Sequence, residues 1–233
     1  MARVGLVGGL GPESTVDYYR RVIDGWKQKN PTGTPSIVID SIDAQQLLGL
    51  SRDDRHGLIE YLMASLTRLE GAGVDFAALT ANTPHLVFDD LAARSPLPLI
   101  SIVDVCAQEA RRRGYSRVGL LGTIFTMDAP FYPSVFARYG VDVVTPRPAD
   151  KTWLHDKYVA ELLEGVFRDD TRQWVNELVA VMKSDEGVDG VVLGGTELPL
   201  LVRGDIVGGV PTLDTTLLHV EAIVARLVEL AGS

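Results

Sequence analysis

Short runs rich in Val, Ile and Leu alternate along the chain with longer stretches in which apolar residues return every three or four positions. The short runs predict buried strands near Val4–Val7, Ser36–Asp40, Phe76–Leu79 and Leu99–Ile102, then Val118–Leu121, Asp142–Thr145 and Gly190–Leu193, with a further short run at Thr212–Asp214. The stretches between them predict amphipathic helices. Leu58, Ile59, Leu62, Met63, Leu66 and Leu69 form one apolar stripe, and Trp174, Leu178, Val181 and Met182 form another, in which Trp174 reads as core rather than as a ligand platform. The last helix, Thr215 to Leu230, carries Leu218, Val220, Ile223, Val224 and Leu227, and is expected to pack back on the first half of the chain. Strands separated by helices imply βαβ units and parallel sheets.

The pattern occurs twice. "RVGLVGG" from Arg3 returns as "RVGLLGT" from Arg117, and "GVDFAALTANTPH" from Gly73 is echoed by "GVDGVVLGGTELP" from Gly187, both at an offset of 114. The reading is an α/β chain of two pseudo-symmetric parallel-sheet domains with the ligand cleft between them. One domain takes residues 1–103 plus 211–233 and the other residues 104–210.

Composition narrows the function classes. The chain has 233 residues, 46% of them hydrophobic, which suits a globular core. Its net charge of −9 argues against nucleic acid or an anionic membrane as partner. The basic run Arg111–Arg113 reads as a solvated helix face. Cys106 is the only cysteine, so no internal disulfide or cysteine metal cluster forms, and a reducing cytoplasm is the expected setting. His56, His85, His155 and His219 show no metal-ligand spacing, and no metal is expected. No apolar run approaches membrane-spanning length, and the start lacks the pattern of a signal peptide.

In open parallel sheets, ligands bind beyond the strand C-terminal ends. Four turns fall there: "GGLGPEST" (Gly8–Thr15), "TANT" (Thr80–Thr83), "GTIFTM" (Gly122–Met127) and "GGTE" (Gly194–Glu197). One such turn is ordinary loop chemistry, but four in matched positions point to a site. Their N–H groups and hydroxyls suit a carboxylate. "GGLGPEST" lacks the spacing of a nucleotide phosphate loop.

With "GGLGPESTVDYY", "ANTPH", "LLGTIFTMDAPFY" and "GGTELPLL" in place, nearly the whole chain resembles the aspartate/glutamate racemase superfamily. The resemblance implies cofactor-independent chemistry on a small acidic amino acid or dicarboxylate, usually in a homodimer. It also implies a pair of cysteines, one per half, serving as base and acid on opposite faces of the substrate carbon. The matching positions here hold Ala81 and Gly195. Cys106 lies on a helix-like segment and reads as a buried structural thiol. By the resemblance, Leu10, Arg52, Asn82, Thr83, Thr123, Thr196 and Glu197 surround the substrate. Asn82, Thr83 and Thr196 hold its carboxylates, Glu197 takes its ammonium group, and Arg52, equally readable as a surface residue, faces the distal carboxylate. The remaining acid–base candidates are Glu197, Thr83 and Thr80, with Glu197 leading because a hydroxyl is a poor base unless activated. His85 is titratable or merely supports its turn. The expected function is an isomerase or lyase of this superfamily working without cysteine. The alternatives are a non-catalytic metabolite-binding protein and a conventional racemase.

Overall fold

The computed structural model describes residues 2–30 and 33–232. The chain divides into two compact units, Met1–Ile102 with Thr216–Ser233 and Val103–Thr215. The strand near residues 210–214 belongs with the second unit because it pairs there.

The first unit is built on β1 (Arg3–Gly8), β2 (Ser36–Ser41), β3 (Phe76–Leu79) and β4 (Leu99–Ile100), all parallel, in the order β2-β1-β3-β4. Its helices are α1 (Pro12–Lys29), α2 (Ala44–Asp53), α3 (Arg55–Gly71) and α4 (Phe88–Arg94). Proline at the first position of α1 costs no hydrogen bond there, and Tyr18, Val22 and Trp26 then recur on its buried face. Asp54 starts α3 by accepting the Gly57 N–H at 2.7 Å, and Leu58, Ile59, Leu62, Leu66 and Leu69 form the buried stripe that the spacing predicts. That stripe packs on one face of the sheet with Leu47, Leu79 and Leu91. The other face is covered by α1 and by α11 (Thr215–Gly232), through Val220, Ile223, Val224 and Leu227. The last helix thus returns to the first unit as expected.

The second unit repeats the plan. β5 (Arg117–Gly122), β6 (Asp142–Val144), β7 (Gly190–Gly194) and β9 (Val210–Asp214) are parallel, in the order β6-β5-β7-β9. The duplication holds at the level of register. Val4 pairs with Phe76 in the first sheet, and Val118 pairs with Gly190 in the second, each residue shifted by 114. One face is covered by α8 (Pro148–Lys157), α9 (Asp169–Glu186) and α10 (Leu198–Val202), with Leu154, Leu162, Val175, Val179 and Leu198 in the core. The other elements are α5 (Ile102–Arg112), which buries Val103, Cys106, Ala107 and Ala110 at helical spacing, α6 (Ile124–Asp128), and α7 (Phe131–Ala137), which buries Tyr132 and Phe136.

Three expectations change. The strand at Leu99 ends at Ile100, because the Ile102 N–H goes to a histidine side chain and the chain turns into α5. On α9 the core face is Thr171, Val175, Leu178, Val179 and Met182, so Val181 is exposed, whereas Trp174 packs against the core as expected and stacks on Trp153 with ring centroids 3.8 Å apart. A short antiparallel edge strand, β8 (Ile206–Val207), pairs with β9 and had no counterpart in the predicted strands.

Candidate functional site

The turn after β3 is fixed by its own side chains. The Thr80 hydroxyl donates to the Val7 carbonyl at 3.0 Å, and the Thr80 N–H goes to the same oxygen. This hydroxyl therefore ties β3 to β1 and is already committed. Asn82 and Thr83 open a single 3-10 turn over Thr83–Val87, and both are buried. His85 completes the turn. Its Nε2 accepts the Ile102 N–H at 3.2 Å, so Nδ1 carries the proton and donates to the Ala81 carbonyl at 3.1 Å. The ring stacks on Phe88 at 4.9 Å, and burial pushes its pKa down to about 3. His85 is thus a neutral structural brace for the turn rather than a group titrating near neutrality. Ala81 and Leu10 lie in the apolar cluster of this unit. The backbone of Arg52 is in α2, while its side chain lies outside the described residues.

In the glycine loop at residues 8–15 the Thr15 hydroxyl is committed within the loop, and the Gly8 carbonyl accepts the Ile42 N–H at 3.0 Å. Gly9 has φ +84°, and a Cβ there would fall 2.3 Å from the Ile42 carbonyl. Its N–H donates to the Thr15 hydroxyl at 2.9 Å, and that hydroxyl donates onward to the Gly11 carbonyl at 3.1 Å.

The turn after β7 is built differently. Gly195, Thr196 and Glu197 lead into α10, with Glu197 at its N-cap position and only 1% exposed. The Thr196 hydroxyl donates to Glu197 Oε2 at 3.1 Å, so the structure joins these two predicted residues. A third residue joins them that the motifs did not single out. Tyr158 stands at the start of a π-helical turn, Tyr158–Leu162, which follows α8. Its hydroxyl donates a hydrogen bond to Glu197 Oε2 and accepts the Glu197 N–H at 3.3 Å. Burial, reinforced by the Glu197 carboxylate, holds the phenol pKa well above its ordinary value. Turns of this π type often mark functional positions.

Tyr158 also explains Gly195. The backbone of Gly195 is not left-handed, so glycine is not required there by conformation. It is required by space: a Cβ would lie 2.5 Å from Tyr158 Cε2, 2.6 Å from its hydroxyl oxygen and 2.8 Å from Cζ. Nearby, Thr123 caps α6 by accepting the Thr126 N–H at 3.3 Å, and His155 Nδ1 accepts the Ile124 N–H at 3.4 Å. Cys106 is fully buried, and burial raises its thiol pKa, which suits packing rather than chemistry. Among the described residues no group of three or more His, Cys, Asp or Glu is placed to hold a metal ion, and no helix is long and apolar enough to cross a membrane.

Residues 7–223 match the model of the Asp/Glu/hydantoin racemase family. A broad specificity amino-acid racemase, RacX, of Bacillus subtilis (strain 168) is 24% identical over 184 residues, covering 77% of this chain and 70% of that protein. Among solved structures, an aspartate racemase homologue from Pyrococcus horikoshii OT3 is 35% identical with a TM-score of 0.81, and both chains are covered fully. Aspartate racemase of Picrophilus torridus has the same fold at 21% identity, with a TM-score of 0.76 over 100% of this chain and 95% of that one.

Proposed function

This chain belongs to the Asp/Glu/hydantoin racemase family, and on that premise we propose that it acts on a small acidic amino acid or dicarboxylate by proton transfer that uses no cysteine. Inverting a carbon centre takes a base on one face and an acid on the other. The positions at which the resemblance places thiols hold Ala81 and Gly195, and neither side chain can exchange a proton. The observation that carries the reading is the buried cluster beside Gly195, where Glu197 accepts hydrogen bonds from both Thr196 and Tyr158. The turn at Ala81 offers no comparable acid–base pair. Proton handling from one face suits exchange with retention, elimination or decarboxylation better than two-base inversion.

In this reading Thr196 helps to hold a substrate carboxylate, and Glu197 beside it supplies the proton-accepting carboxylate. A second reading, a binding protein that has kept the family frame without its chemistry, is favoured by the near-complete burial of Glu197 and Tyr158. Proton NMR in D₂O with L- and D-aspartate, L- and D-glutamate and malate separates the two. Loss of a carbon-bound proton signal from any of them supports the enzyme. Saturation transfer from protein to these compounds with no exchange supports the binder. Neither binding nor exchange with any of them overturns both.

A further inference from the structure

We propose that the Tyr158 hydroxyl is the proton-transfer group of the second unit, standing where a side chain at position 195 would otherwise reach. The inference rests on the enzymatic reading above and adds the residue that moves the proton. The geometry is specific. The phenol oxygen lies 2.6 Å from the point a Cβ on Gly195 would occupy, so the glycine and the ring are complementary. The reactive atom that the resemblance would attach to position 195 is thus supplied from another element, 37 residues earlier in the chain. The ring is held by the apolar core of the unit, with Leu121, Met127, Leu154 and Leu162 in the same cluster. A phenylalanine would fill that volume equally well. What the tyrosine adds is a hydroxyl on a buried carboxylate, and that pair can relay a proton.

The step balances without a further reactant. The substrate C–H bond breaks, and its proton passes to the Tyr158 oxygen as the proton of Tyr158 passes to Glu197. The electron pair stays on carbon and spreads into the adjacent substrate carboxylate. The reverse transfer returns a proton, or a deuteron after exchange with solvent, to the same face. A phenol with a raised pKa starts the cycle protonated, as this order of transfers requires.

The test is Tyr158→Phe in the full chain, assayed by the rate of deuterium entry into whichever of L- or D-aspartate, L- or D-glutamate and malate the unmodified protein exchanges, alongside calorimetry with succinate. Exchange should fall by about 10²–10⁴-fold, as for loss of a positioned acid or base. The succinate Kd should change by less than about threefold, because ground-state binding does not use the hydroxyl. Exchange within about threefold of the unmodified protein would overturn the proposal, and so would a Kd that weakens in step with the rate, since Tyr158 would then only shape the binding site. Failure of the unmodified protein to exchange a carbon-bound proton of any of the four amino acids or of malate removes the enzymatic reading, and this inference with it. Because Tyr158→Phe leaves Glu197 with one donor fewer, Glu197→Gln is the second variant. Its amide oxygen can still accept from Tyr158, so it should fold, yet it should lose exchange by a similar factor. A folded Glu197→Gln protein with undiminished exchange refutes the relay.

Discussion

Gly195→Ala is a one-carbon change whose cost follows from the Tyr158 ring. The added Cβ would sit 2.5–2.8 Å from three Tyr158 atoms, where ordinary contact begins near 3.4 Å. The ring must withdraw by close to 1 Å, yet it is 3% exposed and belongs to the second unit's apolar core. Forcing a methyl group into a packed core costs about 1–3 kcal/mol. If the ring moves, its hydrogen bond to the buried Glu197 carboxylate stretches as well, a loss of about 1.5–3 kcal/mol for a charged partner. The expected destabilisation is therefore about 3–5 kcal/mol, a large share of the roughly 5–15 kcal/mol of a typical domain. Backbone strain adds nothing, because Gly195 does not occupy a left-handed conformation. Urea unfolding of a double-mutant cycle isolates the cause. Leucine at 158 lacks all three atoms that meet the new Cβ, so Gly195→Ala in a Tyr158→Leu background should cost almost nothing, or gain about 0.4–1 kcal/mol from reduced freedom of the unfolded chain. The coupling between the two sites should be about 3 kcal/mol or more by the same contact terms. Equal cost in both backgrounds, to within about 0.5 kcal/mol, would show that Tyr158 is not what excludes a side chain at 195.

Two further outcomes follow from the same contacts. Ala81→Cys with Gly195→Cys should leave racemisation at background despite returning both thiols, because the second has no room beside the Tyr158 ring; chiral chromatography of L-aspartate incubated with the variant checks this, and racemisation restored with Tyr158 intact contradicts it. Stability should fall steeply in mild acid. His85 and His219 are fully buried, with burial holding their pKa values down to about 3 and about 4, against 6.5 for the free side chain. His219 is braced by the Tyr18 hydroxyl on Nδ1 and the Ile100 carbonyl on Nε2, both at 3.0 Å. Well above pH 6.5 neither histidine is charged in either state and neither affects stability. Below it the unfolded chain takes up protons that the native state refuses, so each removes up to about 1.4 kcal/mol per pH unit until the folded pKa is reached. From pH 6.5 to 4.5 the pair should cost about 5 kcal/mol, and urea midpoints that stay flat over that range would contradict the neutral, buried assignment.

The parts of this account that were legible in the sequence are those written at a fixed spacing. The offset of 114 carries β1 onto β5 and β3 onto β7 in identical register, because strand pairing preserves sequence order along each strand. The stripe from Leu58 to Leu69 was legible because helical periodicity is local. β8 escaped, although "IVGGVP" at residues 206–211 has the apolar–Gly–Gly–apolar form of a two-residue hairpin, with both glycines at positive φ. Tyr158 escaped for a different reason. Its partners Gly195 and Glu197 are brought to it by the packing of α8 and α10 on one sheet, and the π-helical turn that aims it leaves no periodic mark. One signal was available. A glycine at a strand end, flanked by residues of a binding turn, implies either an unusual backbone or a large close neighbour, and only the structure distinguishes the two. For His85 the sequence left two readings open, a titratable group or a brace for its turn, and the structure selects the brace, because both ring nitrogens are committed to the backbone.

The central claim is that protons are handled from one face, by groups of the second unit, without thiols. Its most direct test is incubation of enantiopure L-aspartate, and separately L-glutamate, with the unmodified protein in D₂O, followed by chiral separation and mass spectrometry. The account predicts deuterium at the reacting carbon of the starting enantiomer or of an elimination or decarboxylation product, with the opposite enantiomer at background. Rapid appearance of the opposite enantiomer, with deuterium in both, would contradict it.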